Sequence, residues 1–166
     1  METPVGIGLA GLGNVGAGVY KHLTKNRALL RERVGLDAEL RRIAVQSPAK
    51  HAAGGFPEGL LTARFEDLVE DPSIHIIVEV MGRKKESLQL ILSAIEHGKI
   101  VVTANKALLA EHGKQIFDAA TKHGVPVFYE AAVGGGIPII KCLREALIGI
   151  TLFPSTESST ALQTTF

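Results

Sequence analysis

One six-residue stretch, GLGNVG at 11–16, constrains this chain more than anything else in it. It follows VGIGLA at 5–10, an apolar run that reads as a buried strand, and it opens VGAGVYKHL, which has helical period. The spacing G-x-G-x-x-G between a strand and a helix is that of a turn that cradles phosphates. Gly11 allows the tight turn, Gly13 lets the backbone approach a pyrophosphate, and Gly16 lets helix and strand pack closely. The helix N-terminus then offers unpaired N–H groups and partial positive charge to the phosphates. A second match, GIGLAG at 6–11, would lie inside the strand, so the later register is preferred. The same glycines could form a flexible turn with no ligand. Their position favours a dinucleotide, NAD or NADP.

The rest of the chain repeats this alternation. Residues 15–30 have helical spacing, with Asn26 as a break and Gly35 as the stop. Residues 40–45 read as a strand and 46–59 as a loose loop with a Gly54–Gly55 pair. Residues 65–70 form one or two helical turns, 74–80 a strand and 87–96 a helix. Residues 100–102 form a strand, 107–110 and 114–122 two helical pieces, 125–129 a strand and 137–147 a helix. Strands and helices in turn, with short links, predict an α/β fold: a Rossmann-like, doubly wound, mostly parallel sheet with helices on both faces. At 166 residues the chain suits one domain. Eighteen basic against 17 acidic residues give a net charge of +1, which argues against nucleic acid or an anionic membrane surface as partner. A single cysteine, Cys142, permits no internal disulfide and suits a reducing, cytoplasmic setting.

The end of the second strand should select the cofactor. A carboxylate there holds the ribose 2′-OH of NAD, and a nearby arginine accepts the 2′-phosphate of NADP. Here the residues are Val45, Gln46 and Ser47, with Lys50 further on. The lack of a carboxylate leans to NADP or dual use, although Gln46 and Lys50 also read as solvated loop residues. Of six histidines, His97, His112 and His123 each precede glycine, a helix-stop pattern. His22 and His51 read as surface residues and His75 as partly buried in a strand. No spacing suggests zinc, and the basic run Arg83–Lys84–Lys85 reads as a solvated face.

Two segments carry more than composition explains: TANKALLAEHGK at 103–114 and YEAAVGGGIPII at 129–140. Both follow strands, where open α/β sheets bind ligands. Lys106 in the first could face a cofactor or substrate, or could simply be an exposed lysine at a helix start. With GIGLAGLGNVGAGV, VEVMG and HGKIVVTANKALLA, these segments closely resemble the nucleotide-binding part of homoserine dehydrogenase, from Val5 to about Gly149. The resemblance implies NAD(P)-dependent interconversion of L-homoserine and L-aspartate 4-semialdehyde, on the route to threonine and methionine. It implies that Gly11, Gly13, Asn14, Val15 and Gly16 hold the pyrophosphate. Lys106 would lie by the nicotinamide ribose and assist proton transfer. Glu130, with main-chain oxygens of Val133, Gly135 and Ile137, would match the family's monovalent-cation site, for Na+ or K+. It also implies a homo-oligomer. The chain departs from the pattern at Arg83, where a second glycine is usual, and at Gln46, where an arginine is often found.

The resemblance ends at the last residues. ESSTALQTTF at 157–166 admits codons that, regrouped by one base, encode Gly-Ile-Ile-Asn-Gly-Thr-Thr-Asn-Tyr-Ile, close to the family's next motif. The expectation is therefore a frame slip near Gly149. It divides the chain into a domain at 1–149 and a disordered tail at 150–166, without the catalytic and dimerisation domain. Such a chain would bind cofactor but turn over homoserine poorly or not at all. A different amino-acid dehydrogenase sharing the domain, such as L-aspartate dehydrogenase, and a non-catalytic dinucleotide-binding module are the alternatives.

Overall fold

The structure, a computed structural model, describes residues 4–142. The frame slip near Gly149, the tail at 150–166 and the end of the helix expected at 137–147 lie outside them.

Six strands form one sheet: β1 (Val5–Ala10), β2 (Ala38–Ala44), β3 (Leu61–Thr62), β4 (Ile74–Glu79), β5 (Ile100–Thr103) and β6 (Val127–Phe128). Their spatial order is β3-β2-β1-β4-β5-β6, and every pairing is parallel. The chain thus starts in the middle, winds outward through β2 and β3, then returns to add β4, β5 and β6 on the other side. The expected Rossmann-like α/β sheet is present. The switch between the two windings lies at the carboxyl ends of β1 and β4, which is where such sheets open a ligand crevice.

The helices are α1 (Asn14–Val34), α2 (Pro48–Ala53), α3 (Glu66–Val69), α4 (Lys84–Glu96), α5 (Lys106–His123), α6 (Glu130–Val133) and α7 (Ile139–Lys141). Strand alternation sends successive side chains to opposite faces, and two cores follow from it. Leu9, Ile43 and Leu61 point to one face and pack with Val19 and Tyr20 of α1 and Ala52 of α2. Their neighbours Ala10 and Ala44 point to the other, with Ile77, Val101 and Val127. There they meet Leu68 of α3, Leu90 and Ile91 of α4, and Leu108 and Ile116 of α5. Helices therefore cover both faces.

The central strand is pressed closely against β4. A methyl group on Gly6 would stand 1.8 Å from the carbonyl oxygen of Ser73. The pairing of β1 with β4 shifts register between Gly6 and Ile7. At that shift the Gly6 N–H donates to the ring Nδ1 of His75 at 3.0 Å. His75 is exposed, not partly buried as its strand position suggests; its ring takes up a backbone N–H at the register shift of the central strand.

Other departures have local causes. Asn26 does not break α1, because its amide bonds the ring of His22 one turn earlier at 3.0 Å. The helix runs on to Gly35, whose left-handed backbone ends it. Residues 46–59 are not wholly loop. Pro48 opens the short α2, where its fixed φ is favourable and its missing N–H costs nothing. Likewise α4 begins three residues before the expected start. The two helical pieces at 107–110 and 114–122 are one helix, α5. His112–Gly113 is therefore not a helix stop: Gly113 is buried inside α5, and a methyl group there would only touch Phe117 at 3.7 Å. The other two histidine–glycine pairs do end helices, with Gly98 and Gly124 at positive φ.

Candidate dinucleotide site

The glycine loop lies at the carboxyl end of β1. Gly11 has φ +100°, and its N–H is held by the Ala44 carbonyl at 2.9 Å. A methyl group on it would meet the Val80 carbonyl at 2.9 Å. Gly16, in the first turn of α1, would place a methyl group 2.1 Å from the Gly11 carbonyl oxygen. Helix and loop can therefore touch only because Gly16 has no side chain. Gly13 differs. It caps α1, and a methyl group there would meet nothing within 4 Å. Packing does not demand glycine at that position, so the open space above it is what a pyrophosphate would fill. No carboxylate sits in the first turn of α1 and no side chain caps it, so the positive end of the helix is not neutralised by its own side chains. Asn14 and Val15 begin the helix, and Val15 is 57% exposed despite being apolar.

A cleft of about 440 Å³ opens beside this loop, among the ends of β2, β1 and β4. Gly11 and Gly13 form its floor, Gln46 closes the β2 side, and Met81 and Arg83 close the β4 side. His51 also lines it, half-buried and edge-on to Phe56 at 6.1 Å. Lys50 is not among the lining residues. Arg83 is drawn into the cleft by two acceptors, Gln46 Oε1 at 2.9 Å and Glu86 Oε1 at 3.3 Å. The basic run is thus not only a solvated face.

Beneath the cleft is a polar knot that sequence patterns did not indicate. Glu79, the last residue of β4, is fully buried. Its Oε1 accepts the Met81 N–H and the Ser87 hydroxyl, each at 2.8 Å, and its Oε2 accepts the Thr103 hydroxyl at 2.7 Å. Thr103 Oγ1 accepts the Asn105 N–H at 3.1 Å, so its own proton goes to Glu79. Every one of these partners donates to the Glu79 side chain. Asn105 then caps α5 by accepting the Leu108 N–H at 3.1 Å. The readable signal was a charged residue at an inward position of an apolar strand, IHIIVE.

Lys106 follows directly as the first residue of α5. It is exposed and does not line the cleft beside the glycine loop. It borders a separate hollow of about 300 Å³ with Phe117, Tyr129 and Val133. The two sites share the carboxyl edge of the sheet: β2 and β5 are three strand spacings apart, about 14 Å. Glu130 starts α6, and its Oε1 accepts the amides of Ile140 at 3.0 Å and Lys141 at 3.4 Å. The Ile137 carbonyl accepts the Ile139 N–H at 2.8 Å. Val133, Gly135 and Ile137 lie in the same turn region.

A doubly wound parallel sheet with this loop at its switch point defines a dinucleotide-binding domain of the Rossmann class. Comparisons with known proteins narrow the class. A family model described as "Homoserine dehydrogenase, NAD binding domain" matches residues 11–130. The homoserine dehydrogenase of Pseudomonas aeruginosa is 45% identical over 145 residues, covering 87% of this chain and 33% of that protein. That of Synechocystis sp. is 46% identical over 147 residues, with the same two shares. The crystal structure of a homoserine dehydrogenase from Thiobacillus denitrificans matches with a TM-score of 0.78 at 46% identity, over 88% of this chain and 34% of that one. The chain belongs to the homoserine dehydrogenase NAD-binding domain family and spans about a third of the length of the curated relatives it matches.

Proposed function

We propose that this chain carries the cofactor-binding part of an NAD(P)-dependent homoserine dehydrogenase, which interconverts L-homoserine and L-aspartate 4-semialdehyde. The observation that carries the proposal is the glycine loop, with the space above Gly13 left open while Gly11 and Gly16 are held by packing. When bound, the nicotinamide cofactor exchanges a hydride with the carbon that alternates between alcohol and aldehyde. The residues of this chain supply the setting. The amides of Gly13, Asn14, Val15 and Gly16, at the positive end of α1, hold the pyrophosphate. Gly11 gives the turn its shape. Lys106, at the start of α5, lies toward the nicotinamide ribose and assists proton transfer at the substrate oxygen.

Glu130 and the main-chain oxygens of Val133, Gly135 and Ile137 form a site for a monovalent cation, Na+ or K+. The donor set is all oxygen, which suits a hard ion. The N–H bonds to Glu130 and Ile137 leave further lone pairs on both groups. A homo-oligomeric enzyme and a cytoplasmic setting complete the proposal; among the described residues no helix is long and apolar enough to cross a membrane.

The test is titration of the purified chain with NADPH and with NADH, followed by a homoserine oxidation assay on the same sample. Saturable binding of a dinucleotide is the expected result, and failure to bind either one overturns the proposal. Full turnover would show that Lys106 and its neighbours suffice for chemistry.

A further inference from the structure

We infer that Arg83 is the 2′-phosphate receptor of this site, placed on the loop after β4 rather than at the end of β2, and that the cofactor it selects is NADP. The inference rests on the cofactor-binding proposal above and deepens it. The ribose 2′ position is read at the end of the second strand. Here that place is held by Gln46, a neutral side chain with no carboxylate to receive a 2′-hydroxyl. Gln46 is not alone there: the Arg83 guanidinium stands 2.9 Å from its Oε1, and both line the same cleft. Because β1 lies between β2 and β4, the arginine reaches across the end of the central strand, two strand spacings, to arrive there. The pyrophosphate has its own donors in the glycine loop. The arginine is thus left for a second anion.

The chemistry of the group fits. A guanidinium presents five donors in a planar fork that matches phosphate. In Arg83 one end of the fork serves Glu86 and the other serves the amide oxygen of Gln46. A phosphate that displaces the weaker, neutral acceptor gains charge-assisted bonds. Gln46 can then turn its NH2 toward the same phosphate. Glu86 is the opposing element: it orients the guanidinium and also competes for it.

The test uses the whole 166-residue chain with NADPH, NADH and 2′,5′-ADP as probes. Arg83→Gln is expected to weaken NADPH and 2′,5′-ADP by about tenfold or more and to leave NADH within about twofold. Glu86→Gln is expected to tighten NADPH about threefold without changing NADH. Equal losses for NADPH and NADH in Arg83→Gln would place the guanidinium on the pyrophosphate and overturn the inference. Unchanged affinity for NADPH would overturn it too. Wild-type chain that binds neither NADPH nor NADH would instead refute the cofactor proposal on which it stands.

Discussion

Ser87 donates its hydroxyl to the buried carboxylate of Glu79 at 2.8 Å, which ties the first turns of α4 to the end of β4. The same carboxylate takes the Met81 amide and the Thr103 hydroxyl, so β4, α4 and β5 meet on one side chain. Glu79→Leu keeps the volume roughly constant but leaves these donors buried without an acceptor. A stranded buried donor costs about 1–3 kcal/mol. The expected loss in unfolding free energy is about 3 kcal/mol or more, read as a lower urea midpoint. An unchanged midpoint would mean that water or another acceptor replaces the carboxylate.

The three loop glycines predict three different outcomes. Gly13→Ala meets no atom within 4 Å, so stability is expected to stay within about 1 kcal/mol of wild type. Its methyl group occupies the space assigned to the pyrophosphate, so dinucleotide affinity is expected to fall about tenfold or more. Gly16→Ala drives a methyl group into the Gly11 carbonyl and is expected to lose stability and binding together. Gly6→Ala, away from the loop but 1.8 Å from the Ser73 carbonyl, is expected to lose stability most. Thermal melts paired with NADPH titration separate the three.

Acid should weaken the fold through Asp37 and Asp71. The Arg27 guanidinium, bonded to Asp37 at 2.7 Å, holds that carboxyl below its ordinary value of 3.8. Hydrogen bonds from Ser73 do the same for Asp71. A carboxyl depressed in the folded state contributes stability that is complete above its unfolded pKa and lost as pH falls through the folded value. Denaturation midpoints should therefore be level near neutrality and fall below about pH 4. In Arg27→Gln the share due to Asp37 should vanish from that slope. If the slope is the same in the variant, Asp37 is not a source of it.

Lys99 predicts a slope of the same sign at high pH. Lys99 is 7% exposed, and its ammonium group donates to the carbonyls of Asp71 at 2.7 Å and Ile74 at 2.6 Å. Burial lowers its pKa from the ordinary 10.5. The unfolded chain then holds the proton more firmly than the folded one, so stability rises as pH climbs from the folded value toward 10.5. Lys99→Met should abolish that rise and, with the Asp71 and Ile74 carbonyls each losing a charged donor, cost about 1–3 kcal/mol at neutral pH. Urea titrations of both proteins across the alkaline range would show whether the difference exists.

Most of the sheet was legible because the apolar runs are short, β-branched and separated by helical spacing. The glycine loop was legible because three glycines at fixed offsets serve three physical needs. What escaped was of two kinds. Local stop signals misled where tertiary packing overrode them: Gly113 reads as a helix end but lies buried beside Phe117 within α5. Contacts between residues far apart in the chain left no local signal. Arg83 and Gln46 are 37 positions apart, and Glu79 and Thr103 are 24. No pattern in the neighbourhood of either residue announces the other. His51 lines the cleft without a local signal for a similar reason, since the sequence of the short α2 that carries it reads as loop.

The Glu79 knot has a consequence for what the site can measure. The loop that carries Arg83 and the helix that begins with Lys106 are fastened to one buried carboxylate, directly through Met81 and through Thr103 and Asn105. One side chain thus anchors both ends of the proposed cofactor track. The edge of the sheet then acts as a gauge of molecular length. On the proposed function a mononucleotide would satisfy one end of it, and a ligand that spans the full interval would engage both.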